Sequence, residues 1–399
     1  MSASHISSVD IAQDDFAALA AFCEKQCIDW TFVGPELPLF SGIVDYFEAR
    51  GLKIFGPRKN AAQIESSKAF AKNLMKAYHI PTAAYSVHTS FESALHEVEK
   101  RSVTSSGFVP IVIKADGPAA GKGVIIAHSL SEATHALEEI FMLHEFGSQT
   151  QVVLEEFLEG PEFSFFTLAY GNSRMYLPCA QDFKRQGTGD TGLNTGGMGA
   201  YTPVPFVDQE LIQQTIDTIV EPTLSALEQE GAAFNGVLYT GLMLTSAGPR
   251  VIEFNARFGD PETQVLTAAL DEDLALMIQE LLQGAHVRRF AKTHGACVGV
   301  VVAADGYPKA YEKHIPLTAF TNPPSSIELV YAGVASAADA GGGNDAHDAR
   351  LVSSGGRILM ALSLGDTIAH ARTNVYNYLD GLELPHMFYR SDIALKASK

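Results

Sequence analysis

Between residues 109 and 127 the chain places two short apolar runs on either side of a loop that neither a helix interior nor a sheet could absorb. Val109-Pro110-Ile111-Val112-Ile113-Lys114 reads as a strand, and Val124-Ile125-Ile126-Ala127 as another. Their connector, Ala115-Asp116-Gly117-Pro118-Ala119-Ala120-Gly121-Lys122-Gly123, combines Gly117, Gly121 and Gly123 with Lys122, and Lys114 ends the first strand. Glycines let backbone N–H groups approach phosphate oxygens closely, and lysines add charge. The spacing Gly-x-x-x-Gly-Lys-Gly, followed by a strand, excludes a Walker A loop, which must open a helix. An ordinary turn seldom needs so many small residues beside two lysines. An Ala-, Leu- and Glu-rich helix follows, then strands at 151–157 and 162–169. Strand, loop, strand, helix, strand, strand is an α+β unit the size of a small lid.

Upstream, the first sixty residues alternate helix and strand. Phe16, Leu19, Ala20, Phe22 and Cys23 recur at helical spacing. Trp30 to Val33 is a short strand ended by Gly34-Pro35, residues 40–50 predict a helix stopped by Gly51, and residues 52–55 predict the next strand. Strand, helix, strand over this distance implies a parallel unit. No strand with a glycine-rich turn precedes Trp30, so a shortened first domain is expected. Ser67 can cap a helix from Lys68 to about Tyr78, which His79-Ile80-Pro81 ends. Further on, a long helix is expected over 211–229, strands over 236–244 and 250–254, and helices over 261–270 and 274–283. From about Ala296 the chain is strand-rich, at 297–303, 327–332 and 357–364, with a loop at 337–349.

Residues 251–263 carry a second constellation. On a strand, Glu253, Asn255 and Arg257 alternate onto one face, leaving Ile252, Phe254 and Ala256 for the core. A carboxylate beside an amide oxygen offers hard ligands suited to Mg²⁺, and a guanidinium two residues on can hold a phosphate bidentately. Asp260, Pro261, Glu262 and Thr263 form a turn directly after it. Residues 182–201 form a third: Asp182, Lys184 and Arg185 precede Asn194-Thr195-Gly196-Gly197-Met198-Gly199-Ala200-Tyr201. Charged side chains beside a long, mobile glycine-rich loop suit a small anionic substrate. A literal G-x-G-x-x-G at Gly187, Gly189 and Gly192 lacks the strand before and helix after that a dinucleotide fingerprint requires. Leu154 to Leu158 and Gly34-Pro35-Glu36 are ambiguous alone. No H-E-x-x-H, G-x-S-x-G or paired Cys–His signature occurs.

Composition sets the outer limits. Among 399 residues, 28 basic against 46 acidic side chains give a net charge of −18, which disfavours nucleic acid and anionic membrane surfaces as partners. With 46% hydrophobic and 19% charged residues, the chain has material for packed cores. No apolar run approaches the roughly 20 residues of a membrane helix. The opening residues show no signal-peptide pattern, and Cys23, Cys27, Cys179 and Cys297 read as free thiols, so a cytoplasmic location is expected.

Taken together, these segments resemble the ATP-grasp ligases, and within them the phosphoribosylamine–glycine ligase family. The resemblance runs through Gly34-Pro35-Glu36, Ser67-Lys68-Ala69-Phe70, residues 113–124, Glu155-Glu156-Phe157-Leu158, residues 194–201, Tyr239-x-Gly241-Leu242-Met243 and residues 253–263. It implies an ATP-grasp fold of α/β and α+β parts. A truncated N-terminal parallel α/β domain would occupy 1–66, the first ATP-grasp part with its lid 67–178, the second part with metal and substrate sites 179–290, and a β-rich domain 291–399. It implies ATP as substrate, with Mg²⁺ or Mn²⁺ on Glu253 and Asn255. Lys68, Lys114, Gly117, Gly121, Lys122, Gly123, Glu155 to Leu158 (including Glu156 and Phe157) and Glu162 would bind ATP, and Arg257 and Lys114 would serve catalysis. Glu36, Asp182, Lys184, Arg185, Asn194, Thr195, Gly196, Gly197, Met198, Asp260, Pro261, Glu262 and Thr263 would hold glycine and 5-phosphoribosylamine, with no feature requiring an oligomer. The chain departs from the family in lacking its usual first strand and Gly-Asn-Gly-Gly-Arg-Glu-His turn. It also has Phe183 for the usual His, Pro161 for an acidic residue and Leu193 for Pro. Two further readings stay open: an ATP-grasp ligase for another carboxylate and amine, against which residues 194–201 speak, and a truncated protein that binds ATP without turnover.

Overall fold

The structure is a computed structural model that describes residues 6–117, 123–143, 151–337 and 351–398. Gly121 and Lys122, and almost all of the loop expected at 337–349, lie outside the described residues.

The N-terminal part opens with helix Phe16–Gln26, whose first turn is capped by Asp15 accepting from the Ala18 N–H at 3.0 Å. Strands Thr31–Phe32 and Ile54–Phe55 pair in parallel, Thr31 opposite Ile54, as the strand–helix–strand order requires. The helix expected over 40–50 is instead two short ones, Glu36–Ser41 and Ile43–Glu48. Gly42 between them has φ +93°, a left-handed conformation that ends the first helix. Ser67 caps helix Lys68–Ala77 through the Phe70 N–H, at 3.1 Å.

The lid is a four-stranded antiparallel sheet in the order Tyr85–His88, Val152–Glu156, Ile111–Ala115, Val124–Ala127. Helices Phe91–Ser102 and Leu130–Phe141 bury Ala94, Val98, Leu137 and Ile140 against Ile113 and Leu154 of this sheet. Each helix has a serine N-cap, Ser90 and Ser129.

A five-stranded sheet forms the floor, in the order Gly248–Asn255, Gly236–Thr245, Glu162–Tyr170, Ser173–Tyr176, Arg288–Phe290. Its first two strands slip register between Gly241 and Leu242: Gly241 faces Glu253 and Leu242 faces Val251, leaving Ile252 as the extra residue of a bulge. The bulge corrects the expected alternation. Val251, Phe254 and Ala256 are buried, whereas Ile252 is displaced from the core row and lines a cleft. The helix expected over 211–229 contains a π-turn, Ile216–Val220, between helices Gln209–Thr215 and Glu221–Gln229. Pro222 lies two residues after it, and a residue without an N–H cannot continue the regular ladder.

The C-terminal sheet runs Gln181–Asp182, Gly199–Thr202, Ala296–Ala304, Arg357–Gly365, Glu328–Tyr331. Residues 181–202 therefore pair across the sequence division at 290. The Ala296–Ala304 strand is buried on both faces, Val298, Val300 and Val302 in one core and Cys297 and Val301 in another, which explains its continuous apolar run. Helix Ile368–Asp380 lays Ile368, Ala371, Val375 and Leu379 against this sheet. Among the described residues no helix is long and apolar enough to cross a membrane.

Candidate active site

Lid, helix and floor meet at a buried carboxylate. Glu155, on the central lid strand, receives the Lys114 ammonium at 2.8 Å from the adjacent strand. It receives Lys72 from helix Lys68–Ala77, also at 2.8 Å. All three residues are at most 3% exposed. Lys114 Nζ also donates to the Ile252 carbonyl at 2.9 Å, so the bulged floor strand anchors the lid's lysine. Lys72 Nζ donates to Thr82 Oγ1 at 2.7 Å, and that hydroxyl donates to the Val251 carbonyl at 2.7 Å. Burial would push the Glu155 carboxyl up, but the Lys114 and Lys72 charges outweigh it and hold it below its ordinary value. Burial also lowers the Lys72 ammonium to about 8, against the pull of Glu155. Lys68 Nζ donates to the Gly117 carbonyl at 3.0 Å, and Asp116 accepts from Ser67 Oγ and the Ala69 N–H, tying the start of the loop to the helix N-terminus. Lys72, four residues after Lys68 and hence on the same helix face, was missed in the sequence, although that spacing signals it.

Below the lid, Glu162, Asp182, Lys184 and Glu253 line one cleft with Tyr239 and Ile252. Lys184 bridges Glu162 at 2.9 Å and Asp182 at 3.3 Å. Glu262 adds another buried carboxylate, with Ser164 Oγ donating to Tyr239 at 2.9 Å and lying 3.5 Å from Glu262. Burial and the neighbouring Asp182 raise Glu262 to about 7 despite Lys184, and burial raises Asp182 as well. Lys184 instead lowers Glu162.

At the other end of the floor strand, Arg257 Nη2 lies 3.1 Å from Glu65 and Nε 3.6 Å from Glu36. Glu65 also accepts the Ala256 N–H at 2.7 Å. Burial lifts Glu65 to about 7, with Arg257 opposing and Glu36 and Glu253 adding to the rise. Glu36 thus reaches the site from the first domain, while Glu65 carried no motif in the sequence.

The segment expected to be a mobile glycine-rich loop is an ordered hairpin, Arg185–Gly187 with Thr191–Asn194. Its tip is held by Arg390, whose guanidinium is fully buried and reaches Asp190 and Asp392 at 2.8 Å and the Arg185 carbonyl at 2.9 Å. Arg185 itself donates to the Gly192 carbonyl within the hairpin. Phe183 packs on Tyr201 and under Arg390. Thr195 donates to the Lys184 carbonyl, accepts from the Gly197 N–H, and leads to fully buried Met198. Gly197 has φ +106° and meets the Pro261 ring so closely that an added Cβ would overlap it. Thr263 donates to the Gly259 carbonyl.

Of the expected nucleotide contacts, the Glu155 side chain is committed to the two lysines and that of Glu162 to Lys184, while Glu156 is exposed near Arg250 and Phe157 lies edge-on to His128. Leu158 is half-buried and Gly123 adjoins the lid hairpin, its carbonyl accepting from Ala115. Asn194 is half-buried at the hairpin's end.

Glu253 and Asn255 are two residues apart on the floor strand, opposite Gly241 and Tyr239. Among the described residues no group of three or more His, Cys, Asp or Glu could hold a metal ion alone. One carboxylate and one amide oxygen fit a hard divalent cation whose remaining ligands are phosphate oxygens and water.

Three family models tile the chain in order. Phosphoribosylglycinamide synthetase N domain matches residues 2–65, the ATP-grasp (A) domain residues 66–263 and the C domain residues 297–396. The chain belongs to the phosphoribosylglycinamide synthetase family. It is 44% identical to phosphoribosylamine–glycine ligase of Streptococcus suis over 395 residues, covering 99% of this chain and 90% of the relative. Identity to the Listeria innocua enzyme of the same name is 42%, covering 98% and 90%. The crystal structure of phosphoribosylamine–glycine ligase from Thermotoga maritima superposes with TM-score 0.75 at 36% identity, covering 86% of this chain and 82% of that one. A biotin carboxylase from Campylobacter jejuni shares the fold, with TM-score 0.71 at 15% identity, covering 96% and 81%. The fold is therefore ATP-grasp, flanked by the family's N and C domains, and the chain is an ATP-dependent ligase of purine biosynthesis.

Proposed function

We propose that this chain joins glycine to 5-phosphoribosylamine through glycyl phosphate. The glycine carboxylate attacks the γ-phosphorus of ATP and ADP leaves. The amine of phosphoribosylamine then attacks the acyl carbon, loses a proton and expels phosphate, giving N1-(5-phosphoribosyl)glycinamide. The observation that carries this reading is the 2.9 Å bond from lid Lys114 to the Ile252 carbonyl. It holds a lysine ammonium of the lid against the floor strand beside Glu253, which supports a γ-phosphate site between lid and floor.

Lys114 and Lys68, with the loop from Gly117 to Gly123, would cover the phosphates and shield the acyl phosphate from water. The backbone of residues 155–158 would border the adenine. Glu253 and Asn255 would hold Mg²⁺, or equally Mn²⁺, which screens phosphate charge when bound. Arg257, oriented by Glu65 and Glu36, would stabilise the transferring phosphoryl group. Asp182, Lys184 and Glu262, beside residues 194–198 and 260–263, would hold the amine and carboxylate groups of the substrates. Catalysis is then chiefly positioning and charge stabilisation.

The test is ADP release by the purified chain with ATP and Mg²⁺, given glycine alone, phosphoribosylamine generated in place alone, or both. ADP formation that requires both supports the reading. Turnover with glycine and a different amine, or none with the pair while ATP still binds, overturns it.

A further inference from the structure

We infer that Arg357 and Asp260 form an internal latch that positions the Gly196–Gly197 turn, and that both are positioning residues. This inference rests on the ligase reading for its kinetic consequence. Arg357 opens a strand of the C-terminal sheet, 160 residues or so beyond the turn it touches. Its Nη1 donates to the Gly196 carbonyl at 2.7 Å, with the Gly197 carbonyl at 3.5 Å and the Asp260 carbonyl at 3.4 Å. Its Nη2 donates to Asp260 Oδ2 at 2.6 Å. One planar fork thus spans two segments that are far apart in the sequence and adjacent in the site, a geometry a lysine cannot reproduce.

Both carboxylate oxygens of Asp260 already have a partner within the protein. Oδ2 takes the guanidinium and Oδ1 accepts from Gln264 Nε2 at 2.9 Å. The turn, in contrast, has no side chains with which to anchor itself. Gly196 is pressed against the guanidinium, which a Cβ would meet at 3.0 Å, and Gly197 is pressed against Pro261. Thr195 holds the Gly197 N–H from within the segment, and the rest of the turn's backbone is set by Arg357 on one side, Pro261 on the other and the Tyr307 hydroxyl on the Gly196 N–H. Releasing the fork would leave the fold's cores intact and free the turn that faces the substrates.

The experiment compares Arg357→Ala, Arg357→Lys, Asp260→Asn and the Arg357→Ala/Asp260→Asn double variant with wild type. The latch predicts that KM for glycine or phosphoribosylamine rises by on the order of tenfold or more, while KM for ATP stays within about twofold. The double variant should be no worse than Arg357→Ala alone, because both changes remove one interaction. Multiplying effects, or an equal rise in KM for ATP, would overturn it. A readout independent of turnover keeps the latch testable if the ligase assay itself fails. Amide hydrogen exchange in a peptide covering 194–199 should accelerate in Arg357→Ala and in Asp260→Asn, with the rest of the chain unchanged. Wild-type exchange in both variants would refute the latch whatever the activity. If Arg357→Ala does not fold, Asp260→Asn and Arg357→Lys carry the same comparison.

Discussion

Glu155→Gln is the sharpest probe of the buried charge network, because one carboxylate neutralises two ammonium groups at 2.8 Å each. The substitution keeps shape and removes charge, leaving Lys72 with Thr82 Oγ1 and Lys114 with the Ile252 carbonyl as their remaining partners. Breaking a buried pair on one side costs about 3–5 kcal/mol. The cost has a ceiling, since a stranded lysine can release its proton. With Lys72 at about 8 in the folded protein, that release becomes easier as pH rises and is largely complete by pH 9. In the wild type, Lys72 at about 8 lies below 10.5, so the unfolded chain binds more protons between these values and stability rises with pH across that window. In the variant the folded value falls further and the window opens lower. Urea unfolding followed by far-UV circular dichroism should therefore show a loss of about 3–5 kcal/mol at pH 7 that shrinks by pH 9, where Lys72 is largely neutral in both proteins. A loss below about 1 kcal/mol at pH 7, or one independent of pH, would refute the picture of a shared buried carboxylate. Adding Lys72→Met should recover part of the loss, as only one ammonium then remains unpaired.

Glu65, held near 7 by burial, binds more protons folded than unfolded between 4.5 and 7, so its contribution is full below 4.5 and lost as pH rises to 7. Glu65→Gln should flatten stability against pH over that window by up to about 3 kcal/mol, and should lower kcat by loosening Arg257; an unchanged pH profile in denaturant melts would contradict the assignment. Gly197→Ala combines a left-handed φ with overlap onto Pro261, and should cost about 1–3 kcal/mol and most of the turnover; wild-type kcat would show the turn is not tightly packed. Glu253→Gln should raise the Mg²⁺ concentration for half-maximal ADP release by on the order of tenfold, and an unchanged titration would remove Glu253 from the metal site. Arg390→Met leaves Asp190 and Asp392 without their cation, and limited proteolysis should then cut near residues 188–192; a wild-type digestion pattern would refute the clamp.

What the amino-acid sequence determined alone is local. Ser67 capping Lys68–Ala77, the parallel pairing of residues 31–32 and 54–55, and the two lid strands around the glycine-rich loop follow from spacings of two to four residues and from turn chemistry. Glu253 and Asn255 share a face because a strand alternates. The tertiary structure decided everything that depends on partners distant in the chain. It withdrew the Glu155 side chain to Lys72 and Lys114, and it displaced Ile252 through a bulge in the pairing with the neighbouring strand. It turned the expected mobile loop into a hairpin clamped by Arg390, and brought Glu65 to Arg257 and Arg357 to Asp260. Buried ion pairs of this kind leave no period in the sequence. A charged residue becomes a partner only when packing removes water from it and sets another charge at contact distance, and that is settled by how sheets and helices stack.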